Sequence, residues 1–192
     1  MRLLVVALAI SGCKGHEAKP VPPPPAPAPA PATPAPGEKL TFGDFWSIAG
    51  VTRTDTAASV IAKWGTPDEH ADDGDGGDLI RYTHGPAVTF RPDHAIQIDI
   101  AVYGEELPFA KAHPDKKLAL LGMTCAEAAS HLAFAPKVEE YTTCKHYDAN
   151  GWLVDVTLTC PDGVTGITVV WYPLGDVHGQ HLPADHCGDL GE

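Results

Sequence analysis

The residues of this 192-residue chain that could do chemistry are its cysteines, its histidines and one run of aspartates. Cys125, Cys144, Cys160 and Cys187 make an even set that fits two disulfides, with three connectivities open. The rival is a thiolate metal site, but no Cys-x-x-Cys spacing places two ligands on one turn. His178, His181 and His186 cluster near Cys187 and could ligate zinc or copper. Gly179 and Pro183 argue against the helix that would align them, so a solvated tail is expected. Asp72-Asp73-Gly74-Asp75-Gly76-Gly77-Asp78 has the composition of a calcium loop without the closing bidentate Glu, and reads as a flexible acidic loop. There is no Gly-x-Ser-x-Gly elbow, no His-Glu-x-x-His and no phosphate-cradling glycine loop. Glu105-Glu106 and Glu139-Glu140 are neighbours that a strand would point to opposite faces, which denies them joint acid and base work. Trp46, Trp64, Trp152 and Trp171 fall in or beside apolar patterns and are expected in the core. Catalytic residues, a metal and a cofactor are therefore not expected, and the chain reads as non-enzymatic.

The fifth cysteine sits differently. Arg2 supplies a positive start and Leu3 to Ile10 an unbroken apolar run, the order of a signal peptide. As a helix that run rises only about 12 Å, far short of the roughly 30 Å hydrocarbon core, so it is an address and not a span. Ile10-Ser11-Gly12-Cys13 resembles the bacterial lipobox. The resemblance implies removal of residues 1–12, a lipid on the Cys13 sulfur, and an anchor of several acyl chains. Lys14 stands where an Asp would imply inner-membrane retention, which leans the expectation to the outer membrane, on its periplasmic or surface face. An ordinary secretory signal with a chance cysteine is the alternative.

Residues 13–37 follow as a tether. Pro20 to Pro36 holds ten prolines, nearly all the rest alanine, and nothing that could seed a core. Such a segment favours polyproline II and reaches up to roughly 50 Å. From Glu38 onward the composition turns globular, and an oxidising compartment makes disulfides the default for its four cysteines. The net charge of -12 disfavours nucleic acid and repels anionic lipid, so the membrane is expected to be met through the lipid alone.

Two stretches repeat one order of signals. Ile48-Ala49-Gly50-Val51-Thr52-Arg53-Thr54-Asp55 is answered by Leu120-Leu121-Gly122-Met123-Thr124-Cys125-Ala126-Glu127. Thr52 with Asp55 and Thr124 with Glu127 fit helix starts in which cap and third residue bond reciprocally. Phe90-Arg91-Pro92-Asp93 and Thr159-Cys160-Pro161-Asp162 then mark turns between alternating apolar runs, the second ending at Ile98, Ile100, Val102 and Tyr103 or at Ile167, Val169, Trp171 and Tyr172. Earlier strands are expected at Leu79 to Thr83 and Val138 to His146. The expected fold is α+β: two tandem repeats, over 38–110 and 111–176, each a short helix on a three- to four-stranded antiparallel sheet, then a tail over 177–192 pinned by Cys187.

Gly50, Trp64-Gly65-Thr66-Pro67 and the strand from Ala95 to Tyr103, with a degraded second copy from Gly122 to Tyr172, resemble the SmpA/OmlA family of small lipoproteins of the β-barrel assembly machinery. In tandem they look like the β-lactamase inhibitor protein family. That inhibitor-like architecture implies a Cys125 to Cys144 bridge tying helix start to first strand, with Cys160 to Cys187 pinning the tail. The resulting expectation is a lipid-anchored envelope protein that binds another envelope protein, a basic one given the acid excess. An inhibitor of an extracytoplasmic enzyme is the second reading, and a metal-binding or catalytic protein the third.

Overall fold

The computed structural model describes residues 38–83, 85–101, 108–175 and 181–189. The signal peptide, Cys13, the proline tether, Val102, Tyr103, Glu105, Glu106 and His178 lie outside those residues.

Ten strands and three α-helices are described. A 3-10 turn at Phe42–Trp46 leads to β1 (Ser47–Ile48) and β2 (Val51–Thr52), then α1 (Ala57–Trp64), β3 (Glu69–Asp72), β4 (Asp78–Arg81), β5 (Ala87–Phe90) and β6 (Ile96–Ala101). α2 (Pro108–Ala112), a 3-10 turn at Leu118–Leu120 and α3 (Cys125–His131) precede β7 (Tyr141–Asp148), β8 (Trp152–Thr159), β9 (Gly166–Pro173) and β10 (His186–Asp189). β1 and β2 pair only with each other; the rest form one eight-stranded antiparallel sheet in the order β10-β7-β8-β9-β6-β5-β4-β3.

This corrects the expected α+β pair of helix-on-sheet repeats. β6 and β9 pair along their length, Ile98 opposite Val169 and Ile96 opposite Trp171, so strands assigned to separate sheets are neighbours in one. The physical reason is edge burial. A unit of roughly 60 residues buries too little to stand alone, and β6 and β9 left as edges would each offer open backbone beside an apolar face. Joining them removes both edges, and the short helices become a partial cover on one large sheet.

That cover lies on one face only. Ile80, Val88, Ile98, Val169, Val156 and Cys144 line up in register across six strands, and all belong to one buried cluster. Phe45, Val60, Trp64, Leu120, Ala128 and Leu132 from the helical segments join the same cluster. Trp171 Nε1 donates to the Phe45 carbonyl at 2.8 Å, which fixes the first turn to the sheet centre.

Local signals explain the helices in part. Thr124 caps α3 as expected: its Oγ1 accepts from Glu127 N at 3.2 Å while Glu127 Oε2 accepts from Thr124 N at 3.0 Å. Thr52 and Asp55 do bond reciprocally, with Asp55 Oδ2 accepting from Thr52 N at 2.7 Å and Asp55 N donating to the Thr52 carbonyl at 3.0 Å, but they make a turn. α1 begins later at Thr56, whose partner is Ser59. Its C-terminus ends at Gly65, whose positive φ of 91° suits glycine.

Candidate functional site

Alternation along the strands leaves a second sheet face, turned away from the helices. Its central row runs Lys145, Asp155, Val170, Gln97, Thr89, Leu79, each opposite the next across β7, β8, β9, β6, β5 and β4. Val170 is buried yet stands outside the core cluster, which places it on this other side. Among the described residues no helix packs there.

The adjacent row, Thr143, Thr157, Thr168 and Asp99, is knitted by side chains. The Thr143 and Thr157 hydroxyls are 2.9 Å apart, and Thr168 Oγ1 donates to Asp99 Oδ1 at 2.8 Å. Gln97 Nε2 donates to Asp99 Oδ2 at 2.8 Å, and Arg91 donates to Gln97 Oε1 at 2.8 Å. Hydrogen-bonded, β-branched threonines have few rotamers to lose on contact.

Asp155 departs from this satisfied pattern. Its side chain is 16% exposed, and Lys145 Nζ stands 3.7 Å from Oδ2, an ion pair beyond hydrogen-bond reach. Oδ1 is out of solvent with no hydrogen-bond partner, the one such side-chain atom among the described residues. Burial pushes its carboxyl above the ordinary carboxylate value, with Lys145 and His186 opposing. Sequence reading passed over this residue. The signal was a charge inside an otherwise apolar alternation, Val154-Asp155-Val156-Thr157.

The residues singled out from sequence fall elsewhere. Cys125 bonds Cys160 and Cys144 bonds Cys187, which corrects both inferred bridges. The reason is register: Cys187 lies directly opposite Cys144 in the β10 and β7 pair, and Cys160, just past β8, meets the start of α3. His186 is part of β10, and His181 is exposed. Among the described residues no three His, Cys, Asp or Glu side chains come together as metal ligands.

The acidic run is the β3 to β4 connection, and its carboxylates serve its own backbone. Asp73 Oδ1 accepts from Asp75 N at 2.9 Å and Gly77 N at 2.7 Å, and Asp72 Oδ1 accepts from Gly74 N at 2.8 Å. Those backbone bonds hold the Asp73 carboxyl below its usual range. Glu139 pairs with Lys137 ahead of β7 instead of standing in a strand beside Glu140.

Trp64 and Trp171 are core residues, whereas Trp46 and Trp152 are partly buried and flank Arg53, whose guanidinium carbon lies 4.5 and 5.0 Å from their ring centroids. Beside them a cavity of about 470 Å³ opens between the start of α1 and the β5 to β6 turn. Its charges are engaged within the chain: Arg53 with Asp148, Asp55 with Lys63, Asp78 with His70 and Arg91 with Gln97.

No family model, no curated protein and no solved structure matches this chain, so the likeness to SmpA/OmlA lipoproteins and to the β-lactamase inhibitor family rests on the sequence pattern alone.

Proposed function

We propose that this chain is a lipid-anchored protein of the bacterial cell envelope, held at the outer membrane through Cys13, that works without catalysis by docking another envelope protein on the open face of its sheet. The observation that carries the docking reading is that face: across β7, β8, β9 and β6, seven polar side chains of the two rows surround one buried valine, and every described helix contributes to the cluster on the opposite side. Antiparallel sheets commonly pack one face on the core and leave the other polar. Here the polar groups are pre-ordered by mutual hydrogen bonds, which lowers the entropy lost on association. The lipobox pattern at Ile10 to Cys13 and the proline tether support the anchor and the reach.

Photo-crosslinkers placed one at a time at Thr143, Thr157 and Gln97 in the full-length protein, expressed in its cells, test the docking. A discrete product from these positions, with none from Lys63 or Ser130 on the helical side, is the expected result. Equal products from both sides, or none from the sheet, would reject it. Fatty-acid labelling that persists in Cys13→Ala would reject the anchor.

A further inference from the structure

We propose that the Cys144 to Cys187 bridge is a thiol-disulfide exchange site, opened by an external dithiol, and that its reduction frees β10 and bares the edge of β7. The two bridges of the chain sit in opposite surroundings. Cys160 is 1% exposed, and Cys125, where α3 begins, packs against the buried cluster. Cys187 is exposed on the outermost strand, and among the described residues no strand lies beyond it. It borders two clefts of about 290 and 300 Å³, one walled by Pro136, Lys137 and Thr142 and the other by Phe42, Phe134 and His186. Exchange needs a thiolate to touch one of the two sulfurs, so access selects the bridge that reacts. Cys144 is 1% exposed, which leaves Cys187 as the sulfur under attack.

The reaction balances within that pair and the dithiol. One thiolate of the reductant bonds to Cys187 Sγ as the Cys144 to Cys187 bond breaks, and the Cys144 thiolate leaves and takes up a proton. The second thiol of the reductant then displaces Cys187 from the mixed disulfide, and Cys187 takes up a proton in turn. The protein disulfide has gained two electrons and two protons, and the dithiol has lost them in forming its own disulfide. What remains to hold β10 is slight. It meets β7 over four residue pairs, from His186 opposite Lys145 to Asp189 opposite Thr142. Beside that ladder Asp185 pairs with His146 at 2.8 Å, but the Asp185 side chain is 50% exposed, and a pair so open to water holds weakly. The bridge is therefore the latch of the edge strand. With β10 off, β7 offers the unpaired N–H and C=O groups of an edge, which accept an added strand. The reduced protein presents a docking edge that the oxidised protein hides.

The test treats the full-length protein with dithiothreitol at neutral pH without denaturant, alkylates it with iodoacetamide, and maps the labelled cysteines by mass spectrometry. Label on Cys144 and Cys187 is expected to accumulate at least about tenfold faster than on Cys125 and Cys160, whose exchange waits for an opening of the core. Hydrogen exchange over Tyr141–Asp148 should rise once the first bridge is reduced, while Trp152–Thr159 and Gly166–Pro173 stay protected. Labelling of all four cysteines in step, or of Cys125 and Cys160 first, overturns the proposal, because the exposed bridge would then open only with the core. So does the absence of any labelling short of denaturant. Labelling of Cys144 and Cys187 with hydrogen exchange in β7 unchanged also overturns it: the bridge would then be reducible without being a latch.

Discussion

Cys144 and Cys187 are directly opposed across β7 and β10, with Cα atoms 4.1 Å apart, and their bond ties the outermost strand to the sheet. His186, Cys187 and Gly188 are exposed, so little apolar burial holds β10 in place. Loops of 43 residues for this bridge and 35 for Cys125 to Cys160 give nearly equal chain-entropy terms, about 4 kcal/mol each. The two bridges differ in what they restrain. Cys187→Ala is expected to speed hydrogen exchange at the β7 amides of Thr143 and Lys145 while the β8 and β9 amides stay protected. Cys160→Ala, which also leaves a void at a buried position, is expected to lower the urea midpoint of the whole domain. Equal, global loss in both variants would show β10 to be part of the cooperative core.

Asp55 offers a pH-dependent check on the turn before α1. Burial pushes its carboxyl up, but hydrogen bonds from Lys63, Ser59 and Thr52 outweigh it and hold the value at about 2, against 3.8 for a free side chain. The folded value is the lower one, so the carboxylate contributes stability above the unfolded value and loses it as pH falls from 3.8 toward 2. Asp55→Asn should therefore melt below the parental protein at neutral pH, and the two curves should converge under strong acid. A constant gap across that range would place the contribution in shape and not in charge.

Asp115 holds a left-handed alanine in place. The β1 to β2 turn puts Ala49 at φ 47°, a costly conformation for any residue but glycine. Asp115 Oδ2 accepts from Ala49 N at 2.7 Å, and the Ala49 carbonyl accepts from Trp64 Nε1 at 2.9 Å. Asp115 Oδ1 also pairs with Lys117 Nζ at 2.8 Å, both side chains only 9% exposed. Asp115→Ala leaves a buried ammonium unpaired and should cost about 3 to 5 kcal/mol, while Ala49→Gly should stabilise by up to about 1 kcal/mol. Chemical denaturation of both variants measures the two effects, and a mild Asp115→Ala would mean that water reaches Lys117.

What could be read from sequence was local. The Pro92-Asp93 and Pro161-Asp162 turns, the alternation of Ile96, Ile98 and Ile100, and the Thr124 cap all correspond to structure because each is decided within a few residues. β3 and β10 were not foreseen: Glu69-His70-Ala71-Asp72 and His186-Cys187-Gly188-Asp189 carry no apolar alternation, as exposed edge strands need none. The junction of β6 with β9 and the disulfide pairing depend on residues distant in the chain meeting in register, which no local pattern encodes. Four residues separate the Thr52 signal from the true cap at Thr56, because Ser59 offers α1 a reciprocal partner that Asp55, engaged by Lys63, does not.

Asp155 sets the stability of the free protein against its docking surface. Burial raises its carboxyl above the ordinary carboxylate value, and the Lys145 and His186 charges oppose this only in part. The folded chain therefore holds that proton more tightly than the unfolded chain does. For a raised acid, the stabilising contribution is fully present below the unfolded value and is lost as pH rises through the folded one. Asp155→Asn keeps the shape and removes the charge, so its melting midpoint should exceed the parental one at about pH 7, and the excess should shrink as the medium is acidified through the carboxylate range. Thermal unfolding of the two proteins across that range decides it. A variant that melts lower at neutral pH would show that the carboxylate is held from within by Lys145 and His186 more strongly than burial opposes it.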